Sequence, residues 1–293
     1  MPIKVENLSF SYGKKSVFEK VALSDVSFTI NDGEFVGLVG ATGSGKSTLI
    51  QHLDALIRPK KGGEGRIVVD EIDLSQKKAD VGALRKKIGM LFQYPEYQLF
   101  ADTVIADVSF GPINFGMKKE EAHKCAEESL RLVGLDPDKL CDRSPIELSG
   151  GQKRRVAIAG VLAYKPEILI LDEPTAGLDP LGKKEILDLA VSLKKSGAVK
   201  TIIMVSHNMD EIAAYTDRIL ALSHGKLVAD TSTADFFYNR DPVSYGLALP
   251  HVVHIVKLLR EKGLYIEKDI LDKNSLVDEI ERALHSRNGG QNG

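Results

Sequence analysis

Residues 40–47 form a glycine-rich stretch that ends in a lysine and a serine. They fit the pattern G-x-x-x-x-G-K-[ST], whose glycines let backbone N–H groups turn inward around phosphate oxygens. In this pattern the lysine reaches the β- and γ-phosphates, and the serine hydroxyl ligates Mg²⁺. The stretch therefore predicts a nucleoside triphosphate site formed by Gly40, Ala41, Thr42, Gly43, Ser44, Gly45, Lys46, Ser47 and Thr48.

Two carboxylates, Asp172 and Glu173, directly follow the aliphatic residues 168–171. A buried strand that ends in two acids is unfavourable unless the acids meet a cation or a proton. We expect Asp172 to reach Mg²⁺, directly or through a water. We expect Glu173 to polarise the attacking water, because phosphoryl transfer depends mainly on positioning and electrostatics.

A second glycine-rich stretch, residues 148–152, lies between the phosphate loop and the two acids. It stands directly before a basic segment that reads as a helix. Backbone N–H groups at the start of a helix favour anions. A second anion site is therefore predicted at Ser149, Gly150, Gly151 and Gln152.

The segments around the phosphate loop have the order that such a loop requires. Residues 34–39 read as a short apolar strand, and residues 47–53 read as a helix. The continuous aliphatic runs at 168–171 and 201–205 suit strands that are buried on both faces of a parallel sheet. Further strands are predicted at residues 66–69, after a turn at 62–65, and at residues 88–92.

Other parts of the chain have different patterns. Residues 3–10 and 22–30 alternate apolar and polar side chains, as half-buried antiparallel strands do. Helical spacing is found at residues 118–133, 183–195, 252–259 and 275–284. The predicted fold class is α/β: a P-loop NTPase (RecA-like) parallel sheet core with an N-terminal antiparallel β subdomain, a helical insertion and a C-terminal helical extension.

The overall composition is that of a globular protein. Hydrophobic residues make up 43% and charged residues 27%, and the net charge of −2 supplies no strong field for nucleic acid. No nucleic-acid partner is therefore expected. The first residues do not read as a signal peptide, and no apolar stretch approaches the about 18 residues that span a bilayer. We expect any membrane role to depend on partner proteins.

Taken in chain order, the motifs resemble the complete motif set of the ATP-binding cassette (ABC) ATPases, over about residues 1–235. The matching segments are residues 40–47, Gln93, residues 148–152, residues 168–173, residues 177–179 and His207. The resemblance implies ATP and Mg²⁺ as ligands. It also implies a dimer in which residues 148–152, the signature turn, hold the ATP that is bound by the partner subunit.

The resemblance assigns roles to single residues. Tyr12 would stack on adenine, although it could instead be an aromatic residue of a surface turn. Gln93 would contact Mg²⁺ and the water and sense the membrane partner. Asp179 would line the dimer seam. His207 would bond the γ-phosphate and hold the water near Glu173, unless it is a satisfied histidine at a strand edge.

The basic residues Lys153, Arg154 and Arg155 allow two interpretations. They could form a solvated helix face. They could also favour the partner's phosphates, since they start the helix behind the signature turn.

A closer resemblance is to the ATPases of energy-coupling factor (ECF) transporters and related cobalt and nickel importers. The segments that carry it are residues 92–100, 103–104, 110–112, 154–160 and 246–263. It implies a vitamin or metal-ion importer built from a second ABC ATPase subunit (a paralogue or a second copy), a transmembrane coupling subunit and a substrate-binding membrane subunit. The chain would be peripheral, on the cytoplasmic face of the cell membrane. Residues 175–179 resemble the second of the two paralogues.

The resemblance also suggests how the chain is divided. Residues 1–238 would form the ABC ATP-binding domain, with the helical insertion at about 95–160. Residues 239–287 would form the C-terminal helical extension, and the Gly- and Asn-rich residues 288–293 a disordered tail.

Four apolar side chains near Gln93 are candidates for a membrane-subunit docking surface: Tyr94, Tyr97, Leu99 and Phe100. They could equally pack against their own insertion. An alternative function is a soluble ABC ATPase that acts on nucleic acid or ribosomes, but such proteins usually join two cassettes or insert a long coiled coil. An inactive binding module is a third possibility, against which Glu173 argues.

Overall fold

The computed structural model describes residues 2–14, 16–59, 65–264, 266 and 269–289. Residues 62–64 of the predicted turn and residues 290–293 of the predicted disordered tail lie outside them. The strands are Ile3–Tyr12 (β1), Lys20–Ile30 (β2), Phe35–Val39 (β3), Arg66–Val69 (β4), Ile72–Asp73 (β5), Ile88–Leu91 (β6), Ile168–Asp172 (β7), Thr201–Val205 (β8), Arg218–Ser223 (β9) and Lys226–Ser232 (β10).

Eleven α-helices are found among the described residues. They are Lys46–Leu53 (α1), Val81–Lys87 (α2), Val104–Asn114 (α3), Lys119–Leu132 (α4), Pro137–Leu140 (α5), Gly150–Leu162 (α6), Pro180–Lys195 (α7), Met209–Tyr215 (α8), Thr233–Asn239 (α9), His251–Glu261 (α10) and Lys273–Gly289 (α11). Single 3₁₀ turns lie at Pro95–Gln98, Pro145–Glu147 and Pro242–Tyr245.

The aliphatic runs form a six-stranded sheet in the order β10-β9-β3-β8-β7-β6. Strands β9, β3, β8, β7 and β6 pair in parallel, and β10 pairs with β9 in antiparallel fashion. Alternate residues of β7 pack into the two main core clusters on opposite faces, so this strand is buried on both sides. The parallel-sheet prediction for residues 168–171 and 201–205 is confirmed.

The carboxyl ends of three parallel strands meet at one edge of this sheet. Asp172 pairs with Val205, Leu38 pairs with Val205, and Val39 pairs with Ala221. The phosphate loop, Glu173 and His207 follow directly after these strand ends. The register of the sheet therefore brings together groups that are far apart in the sequence.

The other elements surround this core. Strands β2, β1, β4 and β5 form an antiparallel sheet, as the alternating pattern predicted. Helices α3, α4 and α6 pack on one another within the insertion. Helices α10 and α11 share a small core of their own, although Leu247 and Val253 belong to the main core. The predicted fold class is confirmed in its main parts.

The sequence analysis did not predict α2, α8, β9 or β10. Strand β10 is half-exposed along its length and carries no clear apolar alternation. Helices α2 and α8 have seven residues each, too few to show a helical period. Among the described residues, no helix is both long enough and apolar enough to cross a bilayer.

Candidate functional site

The phosphate loop runs from the end of β3 to the start of α1. Gly40 and Gly45 both have positive φ angles, of 153° and 109°. A Cβ atom at Gly40 would lie 2.3 Å from the Leu222 carbonyl oxygen, and one at Gly45 would lie 2.5 Å from that of Ala22. Only glycine fits at these two positions, so the path of the loop depends on both glycines.

The polar groups of the loop fit a triphosphate. The Lys46 ammonium donates to the carbonyl oxygens of Gly40 (2.7 Å) and Ala41 (3.1 Å). The Ser44 hydroxyl is buried and has no hydrogen-bond partner among the described residues. Burial lowers the pKa of Lys46, whereas Glu173 and Asp172 raise it. A buried lysine and an unsatisfied hydroxyl are groups that phosphate oxygens would satisfy.

Tyr12 lies at the end of β1, in the strand and not in the adjoining turn. Its phenol lies 3.2 Å from the Thr48 hydroxyl of α1, and its ring meets Phe10 edge to face. Tyr12 is 43% exposed. The fold thus places this aromatic side chain beside the phosphate-loop helix, with one part of the ring free. Ser47, in the first turn of the same helix, is exposed.

The two acids lie at the end of β7 and just beyond it. Burial raises the pKa of Asp172, and Lys46 opposes that shift. Glu173 has a left-handed backbone (φ 50°), and its N–H donates to the Val205 carbonyl oxygen. Burial, then Asp172, raises the pKa of Glu173 to about 7, while Lys46 lowers it. Uncompensated carboxylates of this type favour a cation nearby.

His207 is half-exposed and faces Glu173. Its Nε2 atom lies 3.6 Å from Glu173 Oε1, which has no hydrogen-bond partner among the described residues. Burial, then Lys46, lowers the pKa of His207, so the imidazole is neutral near pH 7. Glu173 and His207 therefore face each other at near-contact distance, at the edge of the sheet that carries the phosphate loop.

Gln93 lies two residues beyond β6, the neighbour of β7, and its side chain is exposed. The fold therefore brings Gln93 to the same sheet edge as Asp172. Among the described residues, no group of three or more His, Cys, Asp or Glu side chains could hold a metal ion. Ser47, Gln93 and Asp172 carry oxygen atoms, the type of ligand that Mg²⁺ prefers.

The signature turn points away from its own core. The Ser149 hydroxyl accepts from the Gln152 N–H and the Gln152 side chain accepts from the Ser149 N–H, which forms a capping box at α6. Gly150 and Gly151 are exposed, and nothing lies within 4 Å of a Cβ atom added at either. In the described part of the chain, no hydrogen bond joins this turn to the phosphate loop. The first N–H groups of α6 are thus open to an outside anion.

Comparisons with known proteins identify the family to which this chain belongs. The family model described as ABC transporter matches residues 23–176. The chain belongs to the ABC transporter ATPases. It is 46% identical over 288 residues to the energy-coupling factor transporter ATP-binding protein EcfA2 of Clostridium tetani, covering 98% of this chain and 99% of that one. It is 50% identical over 272 residues to EcfA2 of Bacillus subtilis, covering 92% and 97%.

Solved structures agree with this assignment. The structure of cbiO1 from Clostridium perfringens, part of an ABC transporter complex, has a TM-score of 0.71 and 36% identity, covering 87% of this chain and 98% of that one. An ATP-binding cassette dimer in a post-hydrolysis state, bound to ADP and Pi, has a TM-score of 0.67 and 31% identity, covering 79% and 98%. The ABC ATPase resemblance and the preference for the second ECF paralogue are confirmed. As an ABC ATPase of this group, the chain is the ATP-hydrolysing subunit of an ECF-type transporter.

Within the basic cluster of this ABC ATPase, Arg154 matches neither interpretation of the sequence. Arg154 is fully buried, so it belongs neither to a solvated face nor to a surface that meets the partner's phosphates. It binds the Glu96 carboxylate and the Ala176 carbonyl oxygen. Arg155 binds the Val133 carbonyl oxygen and Glu185. Arg154 is turned inward because α6 packs against α3, α4, the turn Pro95–Gln98 and β6.

The candidate docking surface is only partly exposed. Tyr94, Tyr97 and Phe100, here named the aromatic surface, are 40%, 84% and 65% exposed. For Leu99 the structure supports the alternative, because this side chain is half-buried and packs against the main core. The exposed three lie in and around the turn Pro95–Gln98, next to Gln93.

The sequence analysis missed Glu211, a buried carboxylate behind His207. It accepts hydrogen bonds from Thr175, Ser206 and Asn208. Asn208 caps α8, and Glu211 stands three residues later, so the capping-box spacing was a signal in the sequence. Asp179 caps α7 by accepting from the Gly182 N–H, and its side chain remains exposed.

Proposed function

We propose that this chain hydrolyses Mg²⁺-ATP in a two-cassette dimer and thereby powers uptake of a vitamin or metal ion through membrane subunits. The observation that carries the proposal is that the phosphate loop and the signature turn do not meet within one chain. The phosphate loop, Asp172, Glu173 and His207 lie at one sheet edge, whereas the signature turn is exposed and bonds to none of them.

Each half-site needs a partner. The phosphate loop would cradle the ATP, Lys46 would neutralise its β- and γ-phosphates, and Tyr12 would stack on adenine. The signature turn of the opposite subunit would supply N–H donors to the γ-phosphate. ATP then binds the closed dimer more tightly than the open one, and this difference in affinity drives closure.

The acids and the histidine would carry the chemistry. Asp172, Ser47 and Gln93 would hold Mg²⁺, which neutralises charge that develops on the phosphates. Glu173 would orient and polarise the attacking water, and neutral His207 would donate to the γ-phosphate. Asp179 would line the seam between the subunits. Loss of phosphate removes charge from this seam and lets it open.

The aromatic surface would receive the transmembrane coupling subunit. Beside it lies a groove of about 170 Å³ that includes Gln98, Phe100, Asp107 and Phe110. The complex would also contain a substrate-binding membrane subunit and a second cassette, either a paralogue or another copy. We place the chain at the cytoplasmic face of the membrane, with residues 1–238 as the ATP-binding domain and residues 239–287 as its extension.

The test measures both dimer formation and ATP hydrolysis. Glu173→Gln should keep ATP binding, lose hydrolysis by about 10²-fold or more, and accumulate as an ATP-bound dimer. Light scattering after size-exclusion chromatography, with ATP and with ADP, measures the dimer. A variant that hydrolyses ATP at the normal rate would remove Glu173 from the reaction. A chain that stays soluble and alone when expressed with its membrane subunits would remove the transport role.

A further inference from the structure

The buried guanidinium of Arg154 connects three functional parts of the molecule. It lies in α6, one helical turn after Gly150 of the signature turn. Its Nε atom donates to Glu96 Oε2 at 3.2 Å, and its Nη1 atom donates to the Ala176 carbonyl oxygen at 3.0 Å. Glu96 belongs to the turn that carries the aromatic surface, and Ala176 lies midway between Glu173 and Asp179.

Stability alone is a weak reason for this arrangement. The Arg154 side chain is 0% exposed, and its Nη2 atom has no hydrogen-bond partner among the described residues. A buried ion pair contributes little more to stability than apolar side chains of the same size would, while removal of one partner leaves an uncompensated charge. What the pair does provide is a defined distance between the elements that it joins.

The segment that Arg154 holds is itself well fastened. The Ala176 N–H donates to the Glu173 carbonyl oxygen, and the Thr175 hydroxyl donates to Glu211. Residues 174–179, here named the seam segment, therefore lie between Arg154 on one side and Glu211 on the other. Hydrogen bonds at Ala176 and Thr175 thus tie this segment to both Glu173 and Glu211.

A second contact runs beside the ion pair. Tyr94 has a left-handed backbone (φ 54°), and its ring lies so close to Gly177 that a Cβ atom there would be 3.2 Å from Tyr94 Cε1. Gly177 is in the seam segment, and Tyr94 is part of the aromatic surface. The Glu96–Arg154 pair holds the turn that seats this ring.

From these contacts we infer that Arg154 is a positioning residue that transmits the ATP state of the dimer seam to the aromatic surface. When the partner's ATP fixes the signature turn and Asp179, Arg154 moves Glu96 and its turn with them. The inference rests on the proposed function for the identity of what docks at that surface. The contacts of Arg154 with Glu96 and Ala176 lie within one chain.

The absence of tryptophan from the chain allows a direct test. Tyr97→Trp places one fluorophore at an 84% exposed position of the aromatic surface. In a Glu173→Gln background, titration with Mg²⁺-ATP should give a saturable change in emission that Mg²⁺-ADP does not give. Dimer formation is followed on the same samples by light scattering.

Arg154→Met and Glu96→Ala are then added separately to this reporter. Each should reduce the ATP-dependent change in emission about tenfold, while the dimer still forms and the ATP affinity stays within about threefold. Glu96→Ala cuts the link at its surface end and does not touch α6, so it keeps the test valid if Arg154→Met folds poorly. Arg154→Lys, which can reach only one of the two partners, should restore part of the response.

Arg155→Met is the matched control. Arg155 is a neighbouring arginine of α6, but it binds the Val133 carbonyl oxygen and Glu185 and not the turn or the seam segment. Its variant should keep the full emission change. An unchanged response in Arg154→Met and Glu96→Ala, or a loss that accompanies loss of the dimer and of thermal stability, would overturn the inference. A parent reporter that forms no ATP-bound dimer would instead contradict the proposed function.

Discussion

Glu211 shows how a single buried carboxylate can hold two loops of the site. It receives hydrogen bonds from Thr175 at 2.7 Å, from Ser206 at 3.2 Å and from Asn208 at 3.1 Å. Thr175 lies two residues after Glu173, and Ser206 and Asn208 flank His207. The water-polarising acid and the histidine are thereby held in register by a group that contacts neither ATP nor water in the proposed reaction.

Glu211→Gln should slow ATP hydrolysis about tenfold, with little change in ATP affinity. A glutamine side chain lacks the negative charge and one of the two acceptor oxygens. The loops that carry Thr175 and His207 should therefore be held less firmly, whereas the phosphate loop keeps its contacts. Initial rates of phosphate release against ATP concentration separate kcat from KM. Asp210→Asn, in the same helix but bonded to His251, is the control. A normal kcat for Glu211→Gln would show that these loops hold themselves in place.

The buried carboxyl group of Asp54 leads us to expect that the stability of the folded protein depends on pH. Burial raises the pKa of this carboxyl, at the end of α1, from 3.8 to about 6, although Arg85 opposes the shift. Because the folded state binds an additional proton between these values, stability falls as the pH rises through this window. Asp54→Asn should therefore stabilise the protein by about 1–3 kcal/mol at pH 8 and much less near pH 4. Urea unfolding of both proteins at the two pH values measures this difference; an equal effect at both would contradict it.

At the scale of elements, the C-terminal segment consists of two parts with different roles. Leu247 and Val253 are buried in the main core, whereas Val252, Val256 and Leu276 share a smaller core around α10 and α11. Ser244, Tyr245 and Gly246 line a cavity of about 220 Å³ whose other wall is the phosphate loop. The first part of the extension is thus packed against the ATP-binding machinery.

A chain that ends after Phe237 should unfold about 5–10 °C below the full chain, because Leu247 and Val253 are lost from the main core. A chain that ends after Gly263 keeps both residues and should unfold closer to the full chain, with unchanged ATP affinity. Thermal unfolding with and without ATP compares the three proteins. Equal unfolding temperatures for both shortened chains would contradict this division of the segment.

At the scale of the whole molecule, the proposed dimer predicts that two inactivating substitutions can complement each other when one lies in the phosphate loop and the other in the signature turn. Lys46→Ala disables the phosphate loop, and Gly150→Asp places a negative charge in the signature turn. Each purified variant should be inactive, since every composite site then contains one damaged half. If the second cassette is another copy of this chain, a mixed dimer of the two variants has one site with both halves intact.

Equal mixing of the two inactive variants should therefore restore about a quarter of the wild-type hydrolysis rate. Phosphate release measured after mixing, against each variant alone, gives the result. Mixing two separate preparations of Lys46→Ala is the control, because it shows whether the mixing procedure alone changes the rate. If mixing restores no activity although mixed dimers form, each chain must complete its own site.

The elements of the site were predictable wherever the chemistry is local. The phosphate loop, the signature turn and the acids after β7 depend on backbone N–H groups, glycine conformations and strand ends, all of which are specified within a few consecutive residues. The aliphatic runs likewise predicted which strands are buried on both faces. Their order in the sheet then brought His207 within 3.6 Å of Glu173, as the motif set implied.

The interactions of long charged side chains depended on packing. Arg154 is 58 residues from Glu96 and 22 residues from Ala176, and its basic neighbours suggested a surface. Leu99 was likewise placed by the core against which it packs, and the bond from Thr175 to Glu211 joins residues that are 36 positions apart. Periodicity predicts which backbone conformation a segment adopts, but the partner of a buried side chain follows from how distant segments pack, and that information is not contained in local spacing.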